Sequence, residues 1–321
     1  MSRVAAVDLG TNSTRLLVAD VDGGRISDLA RETRMTRLGE GVDERRHLLP
    51  SPIARVRNVL TDFRRTAESL GAERTLAIAT SAVRDAENGE AFLGEVEWSY
   101  GFATCLLSGH EEALMTFRGV TSERTLEQGT VIVDIGGGST EFIAGEQDGV
   151  RWHDSLDIGS GRVTERFLRS DPPTRDELGA AATATRALLA ERVPDEIRSG
   201  TTAAIGVAGT LTSLAALALG LEEYDRDRVH GFELSAEALE EQLQRLASVP
   251  LEERRGMRPL DPERAPVIVG GGVIAREVLA FFGLDKLELS ERDILDGAAL
   301  AAAELPEEDE RAAPPSAHTC C

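Results

Sequence analysis

A degenerate internal repeat is the feature that most constrains the fold of this chain. The segment VAAVDLGTNSTRLLVADVDGG, residues 4–24, returns as VIVDIGGGSTEFIAGEQDG, residues 131–149. At one constant offset Asp8 corresponds to Asp134, and three small residues also correspond: Gly10 with Gly136, Ser13 with Ser139 and Thr14 with Thr140. The repeat indicates a duplicated site, and it predicts two domains of similar size that share one fold.

Each copy of the repeat has the pattern of a strand, a tight acidic turn of small residues and a second strand. Such a turn can direct several backbone N–H groups at an anion while its carboxylate holds a hard cation. The second copy also contains three consecutive glycines, Gly136, Gly137 and Gly138. Glycine loses much conformational entropy on folding and packs no side chain, so this run indicates close approach to a ligand. Two such turns that face each other across a cleft would clamp a phosphate group.

The order of apolar segments predicts a mixed α/β chain of two duplicated βββαβαβα domains that flank a central cleft. A polar stretch, residues 118–129, separates the halves. We therefore expect domains at residues 1–122 and 123–303, with the last helix, 292–303, able to pack back on the first domain. The tail 304–321 is rich in proline, alanine and acidic residues and is predicted to be disordered.

Two more glycine-rich turns occur in the second half. The first, GVAGTLT from Gly206, follows a predicted strand 204–208 and opens a predicted helix 210–219. A phosphate or nucleotide could bind at that helix N-terminus, beside Gly209 and Thr210. The second, VGGGV from Val269, is interpreted in the same way, with a strand at 267–269 and a helix at 273–282.

Composition and charge exclude several classes of protein. The 321 residues are 41% hydrophobic and 28% charged, which is typical of a globular chain. We find no signal peptide pattern and no apolar run long enough to span a bilayer, and three cysteines make no disulfide framework. These features predict a cytoplasmic protein without membrane contact. A formal charge of −21 should repel nucleic acid from most of the surface, so nucleic acid is not an expected partner.

Seven motifs, taken in order, closely resemble those of one known family, the Ppx/GppA phosphatases. This family contains exopolyphosphatases and guanosine pentaphosphate phosphohydrolases, and it lies within the actin, Hsp70 and sugar-kinase superfamily. The resemblance covers residues 4–303. The motifs are AVDLGTNSTR, RLGEGV from Arg37, ATSAVRDAEN from Ala79, LSGHEEA from Leu107, VDIGGGSTEF from Val133, GVAGTLTSLA from Gly206 and VGGGVI from Val269.

The resemblance implies two actin-like domains and a set of site residues. In this family the second glutamate of the SGxEEA motif is the catalytic base, which corresponds to Glu112. Asp134 and Glu141 look like carboxylates near the catalytic metal and water, and Arg84 looks like the arginine that grips the terminal phosphate. The metal, Mg²⁺ or Mn²⁺, would be held by Asp8, Asp134 and Glu141. The expected phosphate contacts are Thr11, Asn12, Ser13, Gly136, Gly137, Gly138, Ser139, Gly209 and Thr210.

The activity expected from this resemblance is hydrolysis of the terminal phosphoanhydride of inorganic polyphosphate, with release of orthophosphate. Longer family members append a helical HD-type domain that this chain lacks, so we expect short chains to be preferred. Removal of the terminal phosphate of guanosine pentaphosphate is an alternative that uses the same residues. A superfamily kinase and a non-catalytic nucleotide-binding regulator are further alternatives. The family resemblance also suggests a homodimer.

Overall fold

The computed structural model describes residues 1–146 and 149–306, which form two compact units. One unit contains Met1–Arg124 together with the chain from Arg292 onward, and the other contains Thr125–Glu291. The domain limits 1–122 and 123–303 stay a prediction. Most of the predicted disordered tail 304–321, including Cys320 and Cys321, lies outside the described residues. Glu304, which that prediction included, is instead the last residue of the helix Ile294–Glu304.

The first unit is built on a five-stranded mixed sheet with the order β3-β2-β1-β4-β5. Strands β1, β2 and β3 pair antiparallel, and β1, β4 and β5 pair parallel. The elements up to residue 124 are β1 (Ser2–Leu9), β2 (Ser13–Asp22), β3 (Arg25–Met35), α1 (Val42–Arg45), α2 (Pro50–Leu70), β4 (Arg74–Ala79), α3 (Ser81–Arg84), α4 (Gly89–Tyr100), β5 (Ala103–Leu106) and α5 (Gly109–Thr121).

The second unit has a six-stranded sheet with the order β10-β11-β9-β6-β7-β8. Strands β6, β7 and β8 repeat the antiparallel arrangement, and β9 and β11 continue in parallel from β6. Its elements are β6 (Thr130–Ile135), β7 (Thr140–Glu146), β8 (Gly149–Leu156), α6 (Ser160–Phe167), α7 (Arg175–Arg192), α8 (Asp195–Gly200), β9 (Ala203–Val207), α9 (Ala208–Ala218), α10 (Arg226–Val229), β10 (Glu233–Ser235), α11 (Ala236–Ala247), α12 (Leu251–Arg255), α13 (Ile268–Phe282) and β11 (Lys286–Leu289). The two mixed sheets confirm the predicted α/β fold class.

Strand β1 shows how a central strand is buried on both faces. Its side chains alternate with a period of two, so Ala5, Val7 and Leu9 join a core that also contains residues of α2 and α4. Val4 and Ala6 join a second core with residues of the last helix, α14 (Ile294–Glu304). Because both faces are covered, residues 4–7 of the strand form a continuous apolar run. In the part of the chain that the structure describes, no helix is both long and apolar enough to span a bilayer.

The predicted strand at 267–269 is wrong, because helix α13 runs from Ile268 through all three glycines of VGGGV. The glycines serve helix packing. A Cβ on Gly270 would lie 2.6 Å from Thr164 Oγ1, and one on Gly271 would lie 2.3 Å from Thr210 Cγ2. Only glycine allows α13 to approach α6 and α9 so closely, and this packing outweighs its low helix propensity. The segment is therefore not a turn for a nucleotide.

Helix α14 crosses α5 with its backbone in direct contact. A Cβ on Gly119 of α5 would lie 1.9 Å from the carbonyl oxygen of Asp293, the residue that caps α14. A Cβ on Gly297 of α14 would lie 2.0 Å from the carbonyl oxygen of Met115. Two glycines, one on each helix, thus set the distance between α5 and α14.

This crossing predicts that Gly119→Ala and Gly297→Ala each destabilise the protein, because the added methyl group forces the helices apart. We expect the free energy of unfolding to fall by about 1–3 kcal/mol, measured by urea denaturation. Gly94→Ala in α4 is the matched control, since nothing lies within 4 Å of its Cβ position. The control should keep or gain stability because alanine is the better helix former. Wild-type stability of both crossing variants would contradict the close contact.

Candidate active site

The first turn of the repeat lies between β1 and β2 and is held by the loop that follows β3. Gly10 N–H donates to the Ser13 carbonyl at 3.0 Å, which closes the turn. The carbonyl of Asn12 accepts from Thr36 N–H and Arg37 N–H, and the carbonyl of Thr11 accepts from Gly39 N–H. In a trans peptide the N–H points opposite to the carbonyl. The N–H groups of Asn12 and Ser13 therefore point away from this loop, as an anion-binding turn requires.

Asp8, the penultimate residue of β1, is a buried carboxylate with one bound oxygen. Arg15 lies opposite it in the strand register. Its Nε donates to Asp8 Oδ2 at 2.8 Å, and its Nη2 lies 2.8 Å from the same oxygen in an ion pair. Oδ1 of Asp8 is buried and has no hydrogen-bond partner among the described residues. Burial raises the pKa of the Asp8 carboxyl, although Arg15 opposes that rise. An unpartnered buried carboxylate oxygen fits the oxygen ligands that Mg²⁺ and Mn²⁺ prefer.

The two glutamates of SGHEEA have different environments. Glu111 completes the capping box at the start of α5, whose N-cap residue is Ser108. Its Oε2 accepts hydrogen bonds from the N–H and the Oγ of Ser108, both at 2.7 Å, and its own N–H donates to Ser108 Oγ. Glu112 is only 7% exposed, and its Oε2 accepts from Arg84 Nη1 at 3.0 Å. Glu111 therefore orders the helix start, and Glu112 is the carboxylate that pairs with Arg84.

The short helix α3 connects this glutamate to the first turn. Its first residue, Ser81, shares a hydrogen bond of 2.9 Å between its Oγ and Thr11 Oγ1. Its last residue, Arg84, is further held by donation to the Leu107 carbonyl at 2.7 Å. Within the first unit, Thr11, Arg84 and Glu112 are thus joined through the four residues of one helix. Their role in one site stays a prediction.

The second turn of the repeat has the same closure and rests on α6. Gly136 N–H donates to the Ser139 carbonyl at 3.0 Å, as in the first copy. The carbonyl of Gly136 accepts from Ser160 N–H, and the carbonyl of Gly137 accepts from the N–H groups of residues 161 and 162. The N–H groups of Gly137 and Gly138 therefore point away from α6. A Cβ on Gly159 would lie 2.5 Å from the Gly137 carbonyl, so the turn and the start of α6 are in backbone contact.

Asp134 and Glu141 face each other in the register of β6 and β7, and both are buried. Glu141 Oε1 accepts from Ser155 Oγ at 2.8 Å. The second copy thus places a glutamate where the first has Arg15. Two carboxylates at one register position favour a divalent cation nearby. Within residues 1–146 and 149–306, no group of three or more His, Cys, Asp or Glu side chains is arranged to hold a metal.

Gly209 and Thr210 lie in the first turn of α9, which begins at Ala208, two residues before the predicted helix start. Ala208 has a positive φ of 65°, which marks a sharp change of direction after β9. The guanidinium of Arg264 lies directly against Gly209, since a Cβ there would be 2.0 Å from Arg264 Nη1. An arginine at a helix N-terminus suits an anion.

Sequence reasoning missed the segments that support both turns. It gave residues 37–42 only as a family motif, and it assigned no role to Gly159, the start of α6 or Arg264. The Gly-Ser-Gly run at residues 159–161 was a usable signal, because closely spaced glycines after a strand indicate close approach of backbone. Arg264 and Gly209 are 55 positions apart in the sequence, so no local sequence pattern predicts their contact.

The different environments of the two glutamates make a stability prediction. Glu111→Ala removes one half of the capping box, so the free energy of unfolding should fall by roughly 0.5–1 kcal/mol. Glu111→Gln should stay near the wild type, because glutamine also serves in capping boxes. Denaturant titration of the two variants checks this. Equal losses would show that the charge of Glu111, and not its capping geometry, stabilises the helix.

The chain is similar to known proteins over most of its length. Residues 17–303 match the Ppx/GppA phosphatase family. The chain is 41% identical to "Exopolyphosphatase 2" of Mycobacterium tuberculosis, over 94% of this chain and 99% of that protein. It is 30% identical to "Guanosine-5'-triphosphate,3'-diphosphate pyrophosphatase" of Photobacterium profundum, over 68% of this chain and 44% of that protein.

A crystal structure of the Aquifex aeolicus member of the Ppx/GppA family superimposes with a TM-score of 0.79. That protein is 31% identical, and the superposition covers 94% of this chain and 97% of the other. The match over most of the sequence and the shared two-unit α/β fold confirm the resemblance, so the chain belongs to the Ppx/GppA phosphatase family.

Proposed function

We propose that this protein is an exopolyphosphatase, which hydrolyses the terminal phosphoanhydride of inorganic polyphosphate and releases orthophosphate. The observation that carries the proposal is the buried Glu112, paired with Arg84 and joined through α3 to the first anion-binding turn. The 41% identity to an exopolyphosphatase over almost the whole chain supports the substrate. The match to the guanosine polyphosphate enzyme covers less of both proteins.

The chemistry explains why this site has a carboxylate beside an arginine. A phosphoanhydride resists attack because its oxygens repel the nucleophile, so a catalyst must supply positive charge and orient a water molecule. In this proposal Glu112 accepts a proton from the attacking water as the new P–O bond forms. The bridging P–O bond breaks, and the shortened polyphosphate leaves. Arg84 steadies Glu112 and offers its remaining N–H groups to the terminal phosphate.

We assign the phosphate contacts to the two turns and to the start of α9. The N–H groups at Asn12 and Ser13, and those at Gly137 and Gly138, point away from the segments that hold their turns. The full proposed set is Thr11, Asn12, Ser13, Gly136, Gly137, Gly138, Ser139, Gly209 and Thr210. Backbone N–H groups in a turn bind phosphate without adding positive side chains to an acidic protein.

The proposed metal is Mg²⁺ or Mn²⁺, with Asp8 as its ligand in the first unit and Asp134 and Glu141 as its ligands in the second. When bound, the cation would neutralise charge on the phosphate oxygens. Asp8 fits this role through its unpartnered Oδ1, and Asp134 and Glu141 fit it through their paired burial. A homodimer and a cytoplasmic location are further parts of the proposal and rest on the family resemblance and composition.

Glu112→Gln tests the proposed base against a neighbouring glutamate. Phosphate release from polyphosphate should fall about 100- to 10,000-fold, the range typical for loss of a general base. Glu111→Gln is the matched control, because it keeps the capping box and should retain wild-type activity. The assay measures orthophosphate release with Mg²⁺ and Mn²⁺ in parallel and with no alcohol or sugar acceptor. Similar activity in both variants would refute the role of Glu112, and an inactive wild type would refute the proposed function.

The charge of the protein predicts a preference for short polyphosphates. A long polyanion extends beyond the site and must pass over a surface whose formal net charge is −21, which repels it. We expect a higher kcat/KM on short linear chains than on long ones, and the difference should shrink as salt screens the repulsion. Phosphate release is measured on chains of defined length and on guanosine pentaphosphate. Equal kcat/KM on all chain lengths would contradict the preference, and faster hydrolysis of guanosine pentaphosphate would contradict the substrate.

A further inference from the structure

Arg15 is shared between two buried carboxylates that are far apart in the sequence. Its Nε donates to Asp8 Oδ2, its Nη2 forms an ion pair with the same oxygen, and its Nη1 donates to Asp293 Oδ2. Asp8 is the penultimate residue of the first strand, whereas Asp293 caps helix α14. One guanidinium thus connects the first turn of the site to the C-terminal helix of the same unit.

The contact between Arg15 and Asp8 is unusual in form. The Nε and Nη2 groups of an arginine form a fork that ordinarily binds both oxygens of a carboxylate. Here Nε and Nη2 both lie 2.8 Å from Oδ2, Nε as a hydrogen-bond donor and Nη2 in an ion pair, and Oδ1 has no hydrogen-bond partner among the described residues. The third contact, from Nη1 to Asp293, accounts for this geometry because it fixes the far end of the guanidinium.

Asp293 is itself fixed independently of Arg15. Its Oδ1 accepts from Leu295 N–H at 2.9 Å, and its own N–H donates to Asp296 Oδ2 at 3.0 Å. Its carbonyl rests against Gly119 of α5. These contacts tie Asp293 to helix backbone on two sides, so it can serve as a rigid anchor for the arginine.

We propose that Asp293 is a positioning residue, which holds Arg15 so that the arginine binds only Oδ2 of Asp8 and leaves Oδ1 available to a divalent cation. This inference rests on the proposed role of Asp8 as a metal ligand. Removal of the anchor allows the fork of Arg15 to close over both oxygens of Asp8 and block Oδ1. The second copy of the repeat needs no such device, because Glu141 stands at the place of Arg15.

Asp296 provides a matched control for a purely structural role. It belongs to the same capping box as Asp293 and is fully buried, and it pairs with Arg31 and Arg292. Neither of those arginines is hydrogen-bonded to Asp8 in the structure. A residue that only stabilises the start of α14 would give the same result at position 296 as at position 293.

The experiment compares Asp293→Asn with Asp296→Asn. Asparagine is a good N-cap, so the first variant retains a cap for α14. Mn²⁺ affinity is measured on the substrate-free protein by calorimetry, the melting temperature is measured alongside, and crystal structures give the position of Arg15. We expect both variants to melt earlier. Only Asp293→Asn should lose Mn²⁺ affinity, by about 10- to 100-fold, as is typical when a ligand's supporting contact is lost, and only there should Arg15 contact Oδ1 of Asp8.

Several outcomes would overturn the inference. Wild-type Mn²⁺ affinity in Asp293→Asn would do so, as would equal losses in the two variants. If Asp293→Asn fails to fold, Arg15→Lys replaces it, because a lysine cannot join both carboxylates as the fork does. Unchanged affinity in Arg15→Lys would then refute the role. If the wild type binds no Mn²⁺, the proposed metal role of Asp8 fails by itself. The crystal structure of Asp293→Asn then still decides whether Arg15 depends on Asp293 to leave Oδ1 of Asp8 open.

Discussion

The pairing of two neighbouring strands decides what each copy of the repeat can do. A hydrogen bond from a turn glycine to a turn serine closes both copies in the same way, at Gly10 and at Gly136. Identical closure fixes an identical register, so the residue opposite the aspartate is Arg15 in one copy and Glu141 in the other. The first copy therefore balances its carboxylate with a cation, and the second concentrates negative charge. The two turns have the same backbone closure, and the residue at this one cross-strand position gives them different charge.

Two buried carboxylates of the first unit, Asp8 and Asp293, differ in how far nearby arginines compensate their negative charge. Burial disfavours the ionised form of Asp293, but Arg15 and Arg31 outweigh it and lower the pKa of that carboxyl. At Asp8 burial dominates and raises the pKa, because Arg15 alone opposes it and Asp293 adds repulsion. Asp293 is thus a satisfied carboxylate, whereas Asp8 would be stabilised by further positive charge. Arg15 therefore contacts both a carboxylate with a structural role, Asp293, and the carboxylate that we propose as a metal ligand, Asp8.

The sequence predicted the parts of this molecule that depend on local patterns. Strand periodicity, the repeat and the small-residue turns identified the two mixed sheets and the residues Asp8 and Asp134. It failed at Gly270–272, where low helix propensity suggested a turn, because the glycines there permit close packing of α13 on α6 and α9. It also gave no sign that Asp293 meets Arg15, since 278 positions separate them and no spacing rule relates such residues. The assignment of Glu112 as a base came from the family motif, and the structure adds only that Glu111 is occupied with capping.

Helix α14 supports the positions of two carboxylates of the first unit, Asp8 and Glu112. Asp293 at the start of α14 holds Arg15, which in turn holds Asp8. The same residue lies against Gly119 of α5, the helix that begins beside Glu112. A rigid helix is a more accurate support for a site than a loop, because its backbone hydrogen bonds are internal. Residues that follow the whole second unit in sequence therefore return to the first unit and link the positions of Asp8 and Glu112.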